Sequence, residues 1–201
     1  INVLYAGRLS REKGIELLAD SFLKAHRRDS RLRLVLAGGG PEEGLLRRRL
    51  GEAATFLGWR YGDDLARVYA SADAFLFTSE TDTYGQVVVE AQASGTPVVA
   101  VASGGPSDLI EDGRTGMLRP PDAEALADAL LDLTSVPALG LRIAEAGLAA
   151  ARQRTWAAAM AELAAGYDRA LQGEPAEAGP RLRPLAPVEG GGGTPELATA
   201  A

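Results

Sequence analysis

Apolar positions along the chain come in two kinds of run that alternate. Short continuous stretches occur at residues 1–7 (INVLYAG), 32–38 (LRLVLAG), 55–59 (TFLGW), 74–78 (AFLFT) and 96–105 (TPVVAVASGG, a strand and a glycine loop). Unbroken apolar runs of this length are the pattern of strands buried on both faces. Between them the period changes. Ile15, Leu18, Ala19, Phe22 and Leu23 fall at i, i+3, i+4, i+7 and i+8 and predict a helix over 14–26 with one apolar stripe. A more polar helical segment follows at 42–51, then a helix around 64–70, and a further helix stops near Gly95. Residues 113–120 read as a turn and short strand, and 121–133 as a helix carrying Leu126, Ala129, Leu130 and Leu133 on one face. Two helices over 138–154 and 155–171 close the pattern; in the second, Trp156, Met160, Leu163 and Tyr167 have the spacing of helical core.

Strands alternating with helices predict an α/β fold, a Rossmann-like parallel sheet with helices on both faces. Ligands bind such sheets outside the C-terminal strand ends, where the strand order switches. Arg8, Gly38 to Gly40, Trp59, Asp82 and Gly104 to Gly105 all follow predicted strands, so one rim gathers them. The domain is expected over 1–171 and a disordered Pro/Gly/Ala-rich tail over 172–201. Because a strand pattern begins at Ile1 itself, an upstream portion is expected before it.

The chain is organised around residues 79–97, SETDTYGQVVVEAQASGTP. A polar loop holding Asp82 leads from a buried strand into a helix bearing Glu90, so two carboxylates bracket one helix start. Thr83 and Gln86 have the form of a capping box, which predicts Tyr84, Gly85 and Gln86 in a first turn with outward N–H groups. Such a terminus attracts an anion, typically phosphate, and Gly85 admits close approach. Glu90 lies between QVVV and AQASG, a segment apolar enough to be largely buried. A carboxylate there needs partners, and ribose hydroxyls would suit.

Composition narrows the chemistry. The 201 residues, 46% hydrophobic and 24% charged, suffice for a sizeable core. A net charge of -6 argues against a broad footprint for nucleic acid or anionic lipid. With 0 Cys and 1 His, thiolate metal sites, disulfides and His-based catalytic pairs are excluded. His26 is read as a helix-end cap. No apolar run is long enough to span a membrane, and no signal peptide opens the sequence. Arg8 and Lys13, in the loop GRLSREKG, are the cations placed to hold a diphosphate. Taken alone a short basic loop is solvated surface, but its place on the rim favours the binding role. The GGGP and SGGP clusters taken alone are structural turns, while Trp59 and Arg60 either line a nucleobase or belong to an interface or the core.

Together, GRLSREKG, AGGGP, FLGW, ADAFLFTSETDTYGQVVVEAQASGTPVVA and SGGPSDLIEDGRTGMLRPPD resemble the C-terminal, donor-binding domain of glycosyltransferase family 4, retaining enzymes of the GT-B fold. The resemblance implies transfer of a hexose from a nucleotide diphosphate sugar to an acceptor hydroxyl, with retention and with no metal or other cofactor. It implies Arg8, Lys13 and Asp82 at the reacting centre, with Asp82 standing where the family usually has Glu. It implies Gly7, Trp59, Arg60, Thr83, Tyr84, Gly85, Gln86, Val87 and Glu90 as donor contacts, Glu90 on the ribose. The sequence does not fix the acceptor, and the resemblance allows a sugar, a lipid-linked sugar or a small molecule. The family's N-terminal domain would be a further partner, without which little transfer is expected. A cytoplasmic location is expected, with peripheral membrane contact left to that absent domain. Competing readings are a non-catalytic nucleotide-sugar binding module and an epimerase or phosphorylase of the same architecture.

Overall fold

The computed structural model describes residues 1–172; the expectation of a disordered tail falls outside the described residues. The chain divides into two units, Ile1–Trp156 and Ala157–Ala201, each described by itself. In the first, six strands form one sheet: β1 (Asn2–Ala6), β2 (Arg33–Ala37), β3 (Ala54–Gly58), β4 (Ala74–Phe77), β5 (Val98–Val101) and β6 (Met117–Arg119). The helices are α1 (Ile15–Arg28), α2 (Glu43–Leu50), α3 (Gly62–Ala70), α4 (Gln86–Ala93), α5 (Pro106–Leu109), α6 (Ala123–Ser135) and α7 (Pro137–Gln153). α8 (Trp156–Leu171) extends through the described part of the second unit.

All strand pairs are parallel, in the order β3-β2-β1-β4-β5-β6. The chain therefore builds outward from β1 to β3, then returns to the other side of β1 to lay down β4. The switch point lies between β1 and β4, and their C-terminal ends share one rim.

Apolar side chains cover both faces of the sheet, which is why the strands read as unbroken runs. From β1, Val3 and Tyr5 join one core with Ile15, Leu18 and Phe22 of α1 and Leu126 and Leu130 of α6. Leu4 and Ala6 join the other, with Tyr69 of α3, Val88 and Ala91 of α4 and Leu109 of α5. Helix α1 ends two residues beyond His26, whose ring stacks on Phe22 and whose Nδ1 lies 3.0 Å from the Leu32 carbonyl. In β3 one extra residue, Leu57, separates the pairs Leu36–Phe56 and Ala37–Gly58, and the strand then delivers Trp59 to the rim. Helix α5 was not expected from sequence, where SGGP read only as a turn. In α8, Trp156 (82%), Met160, Leu163 and Tyr167 are exposed, contrary to the expectation of helical core. Spacing defines an apolar face but not what covers it.

Candidate functional site

The rim at the switch point is made of the loops after β1, β2, β4 and β5, held together through their backbone carbonyls. After β1, the Gly7 N–H donates to Ala37 (2.9 Å) and the Leu9 N–H to Gly39 (3.1 Å). A Cβ on Gly38 would stand 1.9 Å from the Gly7 carbonyl oxygen, and one on Gly40 2.4 Å from that of Leu9. The AGGG run is thus the space through which the Arg8 loop passes. Buried Tyr5 donates from its hydroxyl to the Arg8 carbonyl at 2.8 Å. Burial, with the charges of Glu12 and Asp82 adding to it, pushes this phenol above its ordinary range and keeps it a donor. The Arg8 backbone is fixed while its side chain projects into solvent.

A 3-10 turn at Arg11–Lys13 follows. Its Glu12 carbonyl accepts from Ser79 Oγ (3.2 Å) and Thr81 Oγ1 (2.9 Å), which straps it to the loop after β4. The turn ends at Gly14, with φ of 66° and a Cβ position 2.1 Å from the Thr78 carbonyl oxygen. Only glycine fits both the left-handed backbone and that approach. On the other side, a Cβ on Gly104 would lie 2.5 Å from the Asp82 carbonyl oxygen, and the Gly105 N–H donates to the same oxygen at 2.9 Å.

Asp82 sits where these loops meet. Its Oδ2 takes the Lys13 ammonium at 2.8 Å, and its Oδ1 accepts from the amides of Gly85 (2.8 Å) and Tyr84 (3.3 Å). Partial burial opposes its charge. The Lys13 hydrogen bond, the Gly85 amide, the Lys13 charge and the Tyr84 amide outweigh that and hold the carboxyl below its ordinary range.

This corrects the expected start of α4. No capping box forms between Thr83 and Gln86: Thr83 is exposed, and the N-cap is Gly85 at φ of 77°, with Gln86 the first helical residue. Positive φ at Gly85 keeps Tyr84 and Gly85 out of the helix, and Asp82 takes the amides predicted to point outward. The donors without an intrahelical acceptor are instead those of Gln86 and Val87, since Val88 N–H bonds Gly85.

One turn further along α4, half-buried Glu90 accepts from Tyr69 Oη at 2.9 Å. Trp59 stands apart from this centre at the end of β3, half-exposed, with Nε1 3.0 Å from where a Gly39 Cβ would lie. Three strand spacings separate β3 from β4, about 14 Å. Arg60 is exposed. The structure therefore joins Lys13, Asp82, Tyr84 and Gly85 directly, places Gly7 and Arg8 on the adjoining strand end, and leaves Trp59 and Arg60 on an outer wall.

Residues 1–135 match the family of glycosyl transferases group 1. The chain belongs to this family. It is 44% identical over 116 residues to a GDP-mannose-dependent alpha-mannosyltransferase of Mycobacterium tuberculosis, covering 58% of this chain and 29% of that protein. It is 37% identical over 173 residues to a D-inositol 3-phosphate glycosyltransferase of Corynebacterium aurimucosum, covering 80% of this chain and 41% of the relative. Among solved structures, Anabaena HepE in complex with UDP and glucose superposes with a TM-score of 0.73 at 26% identity, covering 84% of this chain and 48% of that one. The chain thus spans less than half the length of these relatives.

In this member of the group 1 family, sequence reasoning missed the residues that hold the site rather than form it. Ser79, Thr81 and Tyr69 each act on a backbone or carboxylate distant in sequence, and Tyr5 on the nearby Arg8 carbonyl. Ser79 and Thr81 carried one legible signal, polar side chains just past a buried strand. Tyr5 sits inside a buried-strand run and Tyr69 inside a helical segment, with no local pattern that marks either.

Proposed function

We propose that the rim between β1 and β4 binds the diphosphate of a nucleotide diphosphate sugar, and that the protein of which this chain forms the donor side transfers the hexose to an acceptor hydroxyl with retention. The observation that carries this reading is the convergence of Lys13, the Arg8 loop and the α4 start around one carboxylate, Asp82. A carboxylate held by a cation and backbone amides marks a place where anions are favoured. The diphosphate takes Lys13, with Arg8 and the Gln86 and Val87 amides completing its contacts. Asp82 then turns its released oxygen to a sugar hydroxyl.

In the transfer, the bond from the anomeric carbon to the phosphate oxygen breaks and its electron pair leaves on the diphosphate. The acceptor oxygen bonds to the anomeric carbon from the same face and gives its proton to the departing phosphate oxygen. Arg8, Lys13 and the helix start stabilise the charge growing on the leaving group. This mechanism asks for no side-chain base and no metal. Glu90 receives the ribose hydroxyls, and Trp59 and Arg60 form the outer wall at the base. Relatives that use GDP-mannose or were solved with UDP support a nucleotide-sugar donor and leave the base to experiment.

The test is calorimetric titration of the chain with UDP, GDP, ADP and their sugar conjugates. One nucleotide is expected to bind, and Arg8→Ala and Glu90→Ala are each expected to weaken it by about 1–3 kcal/mol, the loss of a charge-assisted hydrogen bond. Binding that both variants leave unchanged overturns the site, and absence of binding by every nucleotide overturns the reading for this chain.

A further inference from the structure

We propose that Tyr69 is the positioning residue for Glu90, and that through Glu90 it sets the preference of the site for a ribose carrying both hydroxyls; this rests on the donor-site reading above. Tyr69 lies in the last turn of α3 at 2% exposure, with its ring tilted against Phe75 of β4 at a centroid distance of 5.7 Å. Its main chain is held as firmly, because Thr96 Oγ1, itself buried, donates to the Tyr69 carbonyl at 2.8 Å. The phenol therefore has one fixed direction, and in that direction stands Glu90 Oε2 at 2.9 Å.

Burial first, then the Glu90 charge and the hydrogen bond to it, push the Tyr69 phenol well above its ordinary range. It acts as a permanent donor. Among the described residues no other side chain donates to the Glu90 carboxylate, so Oε1 and the remaining lone pair of Oε2 stay available. A carboxylate offering two oxygens in one plane fits two vicinal hydroxyls. The terminal torsion of a glutamate is otherwise broad and twofold, so a free carboxylate would give up that rotation on binding. Tyr69 removes the cost in advance by fixing the carboxylate rather than by taking a ribose hydroxyl itself.

The experiment titrates the chain with GDP and UDP and with their 2′,3′-dideoxy counterparts, for the wild type, Tyr69→Phe, Glu90→Ala and the double variant. Phe keeps the ring and the core volume, and thermal melts verify that each variant folds. The wild type is expected to prefer the ribonucleotide. Tyr69→Phe is expected to lose about three- to tenfold of that preference with little change in affinity for the dideoxy form. In the Glu90→Ala background the same substitution is expected to change nothing further. Equal weakening of both nucleotides, or a preference that survives Tyr69→Phe, overturns the inference and leaves the donor site standing. A wild type with no ribose preference overturns the roles of Tyr69 and Glu90 alone. A wild type that binds neither nucleotide overturns the donor-site reading as well.

Discussion

At 2.8 Å the Lys13 ammonium is paired with the Asp82 carboxylate, so an incoming anion competes with the aspartate for the lysine. Asp82 is in this sense an internal stand-in for the ligand, since it also occupies the Tyr84 and Gly85 amides. Asp82→Asn keeps an oxygen for those amides and frees Lys13 from its counter-ion. The variant is expected to bind a nucleoside diphosphate about three- to tenfold more tightly, as removal of a competing, like-charged group should allow. It is expected to gain less than the wild type when the sugar is attached. Calorimetry with both ligands separates the two effects. The same residue gives a pH dependence of stability. Its carboxyl is held below the ordinary value of 3.8, so the unfolded chain takes up the proton first as pH falls. The stabilisation from Asp82 is complete above that value and lost as pH drops through the lower folded one. Melting curves should show wild type and Asp82→Asn converging in that acid window and separated above it.

At the scale of elements, the site depends on backbone approaches that only glycine permits. Gly14 carries the sharpest case, a positive φ joined to a Cβ position 2.1 Å from the Thr78 carbonyl oxygen. Gly14→Ala is expected to cost about 2 kcal/mol or more, because left-handed strain and a backbone clash add. Urea unfolding measures that cost, and nucleotide affinity should fall with it, since the turn bearing Lys13 moves off the β4 loop. This level also shows what a sequence can carry. The strands were legible because burial on both faces leaves an unbroken apolar run, as in AFLFT of β4. Helix α1 was legible from its single stripe. The start of α4 was not, because Thr83 and Gln86 satisfy a local capping pattern while the contest was decided by Asp82 and by the positive φ of Gly85. Tyr69 was not, because its role is a hydrogen bond across 21 positions. Lys13 and Asp82 were both singled out from their loops, yet their pairing depends on the strand order that brings β1 beside β4.

For the whole molecule, the order β3-β2-β1-β4-β5-β6 places the switch point, the rim loops and the α4 start together, and distributes two cores to hold them there. The group 1 glycosyltransferase relatives are more than twice as long as the matched part of this chain, so transfer to an acceptor is proposed for the protein that contains this domain rather than for the domain alone. Donor binding is proposed for the chain itself. Its most direct test is an amide-resolved NMR titration of the nitrogen-15-labelled chain with GDP and with UDP. Donor binding at this rim predicts saturable shifts at Gln86 and Val87, at the Arg11–Lys13 turn and at Gly7 and Arg8, with the opposite strand ends, Asn2 and Ala74, unmoved. Shifts confined to other surfaces, or none at ligand concentrations in the millimolar range, would contradict it.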